Sequence, residues 1–179
     1  MKRLCIFCGS KVGDQPIYAS EARKLGALML ERGVGLVFGG GHIGLMGVLA
    51  DTLLAGGGSV VGVIPRGLEA RELAHRGVQE MHVVGSMHER KALMADRADA
   101  FAALPGGYGT ADELFEIVTW AQLELHAKPI ALLNTANFFD PLLAWVDHTV
   151  REGFVKHQYR DLLRVAATPE QLLDRLGLT

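Results

Sequence analysis

Short apolar, β-branched runs alternate with helical patterns along nearly the whole chain, and this alternation constrains the fold more than any other feature. Arg3–Cys8, Val34–Phe38, Ser59–Ile64, Glu80–Val84, Asp99–Leu104 and Pro129–Leu133 read as strands. Helical periodicity covers Ile17–Arg32, Ile43–Ala55, Met87–Arg97, Ala111–Leu125 and Phe138–Glu152, and a last helix fits Pro169–Leu176. Such a pattern predicts an α/β fold, a doubly wound parallel sheet with helices on both faces. Several of the strands are apolar almost throughout, as strands buried on both faces must be. The charged stretch Pro65–Gly77 reads as a short helix and loop. With no internal repeat, low-complexity tract or linker, residues 1–179 are expected to form one domain around one core.

Composition narrows the function classes. Hydrophobic residues make up 49% and charged residues 21%, the balance of a globular chain. A net charge of −2 lacks the basic excess of a general nucleic-acid binder. No apolar run approaches the roughly 18 residues of a membrane span. The opening MKRLCIFCGS is too short in apolar residues for a signal peptide. A cytoplasmic protein with neither nucleic acid nor membrane as partner is the expectation. Cys5 and Cys8 form a CxxC, but on a strand, where side chains three apart face opposite ways. Buried thiols are the better reading than a redox or zinc half-site. The seven histidines are scattered without ligand spacing, so no metal is expected.

Ligands of such sheets bind in the loops beyond the carboxyl ends of the strands. Gly9-Ser10-Lys11 follows the first strand, and the glycine-rich Gly39–Gly47 follows the second. The latter contains a formal GxGxxG at Gly39, Gly41 and Gly44. The next strand ends in Ile64-Pro65-Arg66, without the acid that takes the ribose hydroxyls of a dinucleotide. The loop is either a tight turn with close helix–sheet packing or an approach for another phosphate-bearing ligand.

The fifth strand runs into Pro105-Gly106-Gly107-Tyr108-Gly109-Thr110. Glycines let a backbone approach a ligand closely, and the free N–H groups of a helix start bind anions. A phosphate monoester is the natural occupant, and the absence of GxxxxGK[ST] excludes a Walker-type loop. Thr110-Ala111-Asp112-Glu113 has the form of a capping box, with threonine at the N-cap and glutamate three residues on. Glu116 adds a third acid to the same helix. So many acids sit poorly beside a phosphate, which suggests that at least one serves the positive centre of a reaction. Arg90 and Lys91 on the preceding helix are either a solvated face or cations aimed at the phosphate or ribose.

PGGYGTADE, with MHERKALM before it and ELAHRG further upstream, resembles the "lonely guy" family of cytokinin riboside 5′-monophosphate phosphoribohydrolases, long labelled possible lysine decarboxylases. The resemblance runs from Gly9-Ser10 through Trp120-Ala121-Gln122 to Pro129–Asn134. Many plant members carry two glutamates where this chain has Asp112-Glu113. The resemblance implies a Rossmann-like homodimer that splits the N-glycosidic bond of a purine nucleoside monophosphate, AMP or N6-prenylated AMP, without a cofactor. It implies Arg90 and Glu113 as the catalytic pair, and Gly107, Tyr108, Gly109 and Thr110 as the phosphate holders. Glu72, Lys91, Ala111, Asp112 and Thr119 would line the nucleotide site. A carboxylate beside C1′ suits the chemistry, since departure of the base leaves an oxocarbenium-like sugar. Lysine decarboxylation would need a pyridoxal phosphate lysine, and no lysine here has that context. The alternative is a non-catalytic nucleotide or cofactor carrier on the same fold. The helix Leu114–Leu125 is apolar around more than one face, which predicts a two-fold dimer with the site near the interface.

Overall fold

Alternate residues of a strand project to opposite sides of its sheet, and the first strand shows what covers each side. In the computed structural model, which describes residues 1–69 and 73–179, β1 spans Arg3–Phe7. Leu4 and Ile6 enter one buried cluster, Cys5 and Phe7 another. Along the chain follow α1 (Pro16–Glu31), β2 (Gly35–Phe38), α2 (Gly44–Ala55), β3 (Val60–Pro65), α3 (Arg66–Glu69), β4 (Glu80–Val84) and α4 (Met87–Arg97). The second half comprises β5 (Ala100–Ala103), α5 (Tyr108–Gln122), β6 (Ile130–Leu133), α6 (Asp140–Arg151), β7 (Leu163–Ala166) and α7 (Pro169–Arg175). Leu25 and Met29 of α1, Leu49 and Leu53 of α2 and Leu172 of α7 seal the Leu4 side. Met94 of α4, Leu114 and Ile117 of α5 and Val146 of α6 seal the Phe7 side. The sheet is thus covered on both faces, as the apolar strands require.

All seven strands are parallel, in the order β4-β3-β2-β1-β5-β6-β7. The chain first builds outward from β1 to β4, then returns to the other side of β1 with β5. This reversal parts the loops beyond β1 and β5 and opens a crevice at their carboxyl ends.

Two expectations need correction. The sheet has a seventh strand, β7, beyond the six that the sequence predicts. It is an edge strand of four residues with Arg164 exposed in its middle, too short and too polar to stand out. Helix α5 begins at Tyr108, not Ala111, and ends at Gln122. Cys5 and Cys8 are free, buried and on opposite sides of the sheet. Burial, and secondarily the charge of Glu113, pushes both thiols well above their ordinary range. Among the described residues, no helix is long and apolar enough to cross a membrane.

Candidate active site

Three loops meet at the crevice. Beyond β1 and β5, the Gly9 N–H donates to the Pro105 carbonyl at 3.0 Å. The Leu45 N–H at the start of α2 donates to the Gly9 carbonyl, also at 3.0 Å. These bonds close off a cleft of about 490 Å³. One part of its lining is polar: Ser10, Gly107, Gly109, Thr110, Arg90 and Glu113. Another part is apolar: Ile43, Met46, Ile64, Leu68 and Leu73.

The glycine turn starts α5 without a side-chain cap. Gly107 is the N-cap, and the first helical bond runs from the Ala111 N–H to the Gly107 carbonyl at 3.1 Å. The N–H groups of Tyr108, Gly109 and Thr110 therefore lie ahead of any intrahelical acceptor, at the positive end of a helix of 15 residues. A Cβ at Gly107 or Gly109 would meet no protein atom within 4 Å. Packing does not require glycine at these two positions; what glycine leaves there is an open approach to the backbone. The capping box is thereby excluded. Thr110 sits inside the first turn and is buried, and Glu113 lies too far along the helix to close a cap.

Glu113 has another partner. Its Oε1 lies 3.2 Å from Nη1 of Arg90, with each side chain no more than a tenth exposed. Arg90 is aimed by a well-formed helix start: the Ser86 hydroxyl accepts from the Glu89 N–H at 3.1 Å, and the Glu89 carboxylate accepts from the Gly85 N–H at 2.8 Å. Its Nε donates to the Val63 carbonyl at 3.1 Å and its Nη2 to the Gly39 carbonyl at 3.4 Å. The solvated-face reading of Arg90 and Lys91 is overturned, since both are buried. Burial raises the Glu113 carboxyl above the usual carboxylate range; Arg90 opposes that shift, and Asp112 adds to it. The cleft thus holds a reluctant carboxylate beside a fixed guanidinium, next to an anion-ready helix end.

Gly39 makes this placement possible, because a Cβ there would overlap Nη2 of Arg90. Gly39→Ala is expected to lower kcat by about 100-fold while leaving the circular dichroism spectrum unchanged, because a guanidinium displaced by an ångström loses its alignment. A Gly39→Ala protein with normal kcat would show that the guanidinium position does not matter.

The proposed site residues divide between two surfaces. Arg90, Gly107, Tyr108, Gly109, Thr110 and Glu113 share the cleft. Ala111, Asp112 and Thr119 line a separate depression with Phe115, Glu116 and Trp120. Lys91 turns the same way, because adjacent residues point about 100° apart on a helix. Its Nζ lies 3.1 Å from both Asp112 Oδ2 and Glu116 Oε2. Burial works against its charge, but the two carboxylates outweigh burial and raise its pKa. The Thr119 hydroxyl donates to the Phe115 carbonyl at 2.7 Å. Glu72 lies outside the described residues. The sequence does not mark the apolar lining of Ile43, Met46, Ile64, Leu68 and Leu73, since apolar loop residues carry no chemical signature.

Comparisons with known proteins agree with this architecture. A family model described as "Possible lysine decarboxylase" matches residues 46–176. A cytokinin riboside 5′-monophosphate phosphoribohydrolase of Oryza sativa subsp. japonica is 48% identical over 98% of this chain and 72% of its own length. One from Arabidopsis thaliana is 45% identical over 98% of this chain and 82% of its own. Among solved structures, the molybdenum cofactor binding protein of Rippkaea orientalis superposes with a TM-score of 0.73 at 20% identity, over 99% of this chain and 96% of that one. At that identity the likeness shows the fold alone. The chain belongs to the family described as possible lysine decarboxylase, the family of the cytokinin riboside 5′-monophosphate phosphoribohydrolases.

Proposed function

We propose that this protein hydrolyses the N-glycosidic bond of purine nucleoside 5′-monophosphates, AMP or its N6-prenylated form, to free base and ribose 5-phosphate. The observation that carries the reading is the buried Arg90–Glu113 pair opening into the same cleft as the uncapped start of α5. The phosphate sits on the N–H groups of Tyr108, Gly109 and Thr110, where the helix dipole favours it. The sugar then reaches Glu113, and the base lies against the apolar lining. As the bond from C1′ to the base nitrogen breaks, positive charge grows on the sugar. Ionised Glu113 stabilises that charge and takes a proton from the attacking water, whose oxygen bonds to C1′; the base leaves with the bonding pair and takes up a proton from solvent, to which Glu113 returns its own. Arg90 holds Glu113 ionised and in place. Lys91 acts at one remove, by offsetting part of the charge of Asp112 and Glu116 so that two acids on the first turns of α5 repel the phosphate less.

Chromatography of reactions with AMP and with N6-isopentenyl-AMP tests this directly. Free base is expected from both nucleotides and little from adenosine, because the phosphate supplies the binding energy that fixes the sugar. Equal turnover of adenosine and AMP would remove the phosphate anchor from the mechanism.

A two-fold dimer belongs to the same reading. Phe115 of α5 packs edge to face on Trp145 of α6 with ring centroids 5.6 Å apart. Trp145 is 55% exposed, and Leu123, Leu125 and Phe154 are more open still. Covering these side chains with a second copy removes apolar area from water. Light scattering at micromolar protein is expected to give twice the mass of the 19.3 kDa chain, and a monomer mass would refute the dimer.

A further inference from the structure

A histidine outside the proposed catalytic pair is built into the molecule with unusual care. His75 is only 9% exposed, and both of its ring nitrogens are committed. Nδ1 accepts from the Gly77 N–H at 3.1 Å and so carries no proton. Nε2 is left to donate, and 2.9 Å away it meets Oδ1 of Asp51, a largely exposed residue of α2. The backbone around His75 is tied to the glycine loop beyond β2. The His75 N–H donates to the Gly40 carbonyl at 2.8 Å, the His42 N–H donates to the Leu73 carbonyl at 3.0 Å, and Gly41 bridges Ala74. Leu73, at the head of this segment, lines the cleft together with Leu68 of α3. The His42 ring also meets this segment, with Nδ1 3.1 Å from the Leu73 carbonyl, and each further attachment offsets part of the conformational entropy that fixing an irregular segment costs. The ring of His75 adds a side-chain attachment to a helix that is itself anchored in the core by Leu49 and Leu53.

We infer that His75 and Asp51 form a latch that fastens residues 73–78 to α2 and thereby positions Leu73 in the wall that receives the base. This rests on the reading that the cleft binds a nucleotide. The pair touches neither the phosphate end of the cleft nor Glu113. It is a positioning pair, and its effect is confined to the base side. Carboxylate and amide side chains both offer Nε2 an acceptor oxygen, so the latch needs the acceptor at position 51 and not its charge.

The experiment compares Asp51→Ala, Asp51→Asn and His75→Ala with the unaltered protein. Hydrogen exchange of the His75, Gly77 and Val78 amides is read on the free protein. KM and kcat for AMP, and the inhibition constant of ribose 5-phosphate, are read on the enzyme. Asp51→Ala and His75→Ala are expected to speed exchange in residues 73–78 and to raise KM for AMP roughly tenfold, with kcat and the ribose 5-phosphate constant held within about twofold. Asp51→Asn is expected to behave as the unaltered protein. Because position 51 is exposed on α2, Asp51→Ala keeps the test valid even if His75→Ala fails to fold. Unchanged exchange and KM in Asp51→Ala overturn the latch. So does a parallel rise of KM and the ribose 5-phosphate constant, which would mean general loosening. Exchange does not depend on turnover. Failure of the latch is therefore distinct from failure of the nucleotide reading, which would appear as an unaltered protein inert to AMP.

Discussion

Glu113→Gln is expected to fold normally, to bind AMP, and to lose about two to four orders of magnitude in kcat. Glutamine matches the shape of glutamate and still offers Arg90 an acceptor oxygen at the 3.2 Å position of the native pair. It removes only the charge proposed to face the developing oxocarbenium ion and the base proposed to take the proton of water. The proposed phosphate grip consists of backbone N–H groups and is untouched by the change. Because α5 starts at Tyr108, no capping role complicates the result. A near-normal kcat in Glu113→Gln would point to the carrier alternative. The same residue sets a pH dependence. Burial raises the Glu113 carboxyl, so the folded protein holds its proton to higher pH than the unfolded chain does. The resulting stabilisation is complete below the ordinary glutamate range and is lost as pH rises through the raised value. The glutamine variant lacks that loss, so its stability relative to the unaltered protein should improve with pH across this window. Activity runs the other way: kcat/KM should climb as Glu113 ionises, with its acid limb centred above the ordinary carboxylate range. Urea unfolding and rate profiles from acid to neutral pH measure the two effects.

Arg90→Ala is expected to cost both activity and stability. It strands a carboxylate that is buried and paired, a change that typically costs about 3–5 kcal/mol in urea unfolding. It also leaves the Val63 and Gly39 carbonyls without their guanidinium donors. With the opposing cation gone, the Glu113 carboxyl should move further upward, and the acid limb of the residual activity with it. Arg90→Lys should not restore the rate. An ammonium is a point charge and cannot serve Val63, Gly39 and Glu113 through one planar fork. A stability loss below about 1 kcal/mol in Arg90→Ala would mean that the pair is solvated in solution and would undo the account of Glu113 given above.

The residues of the site differ in how readily they could be read. Gly107, Gly109 and Thr110 stand out in the sequence because only a few backbone arrangements use so many glycines before a helix. Arg90 and Lys91 look alike in the sequence, yet one enters the cleft and the other joins Asp112 and Glu116. That choice follows from the 100° step between neighbours and from where α4 is anchored, and no local pattern encodes it. Thr110-x-x-Glu113 fits a capping box and so points to a helix start at Ala111, three residues past the actual start at Tyr108. The fitting helix-start signal lay elsewhere, in Ser86-x-x-Glu89 before Arg90. Gly39 belongs to a loop that the sequence marks as glycine-rich, but its purpose becomes visible only against the guanidinium it admits.

Apart from β7 and the start of α5, the sequence by itself determined which segments are strands and which are helices, that the strands are buried on both faces, and that a glycine-rich turn follows the fifth strand. Those features have periods of two or 3.6 residues and turn residues at short spacing, so each is written within a few neighbouring positions. The tertiary structure alone decided that β1 lies between β2 and β5, pairing Leu4 with Ala100. It also decided that Gly39, Arg90 and Glu113, from three separate loops and helices, meet at one point. Contacts between distant segments depend on which apolar faces cover each other best once the whole sheet is assembled, and that is a property of the packed core as a unit.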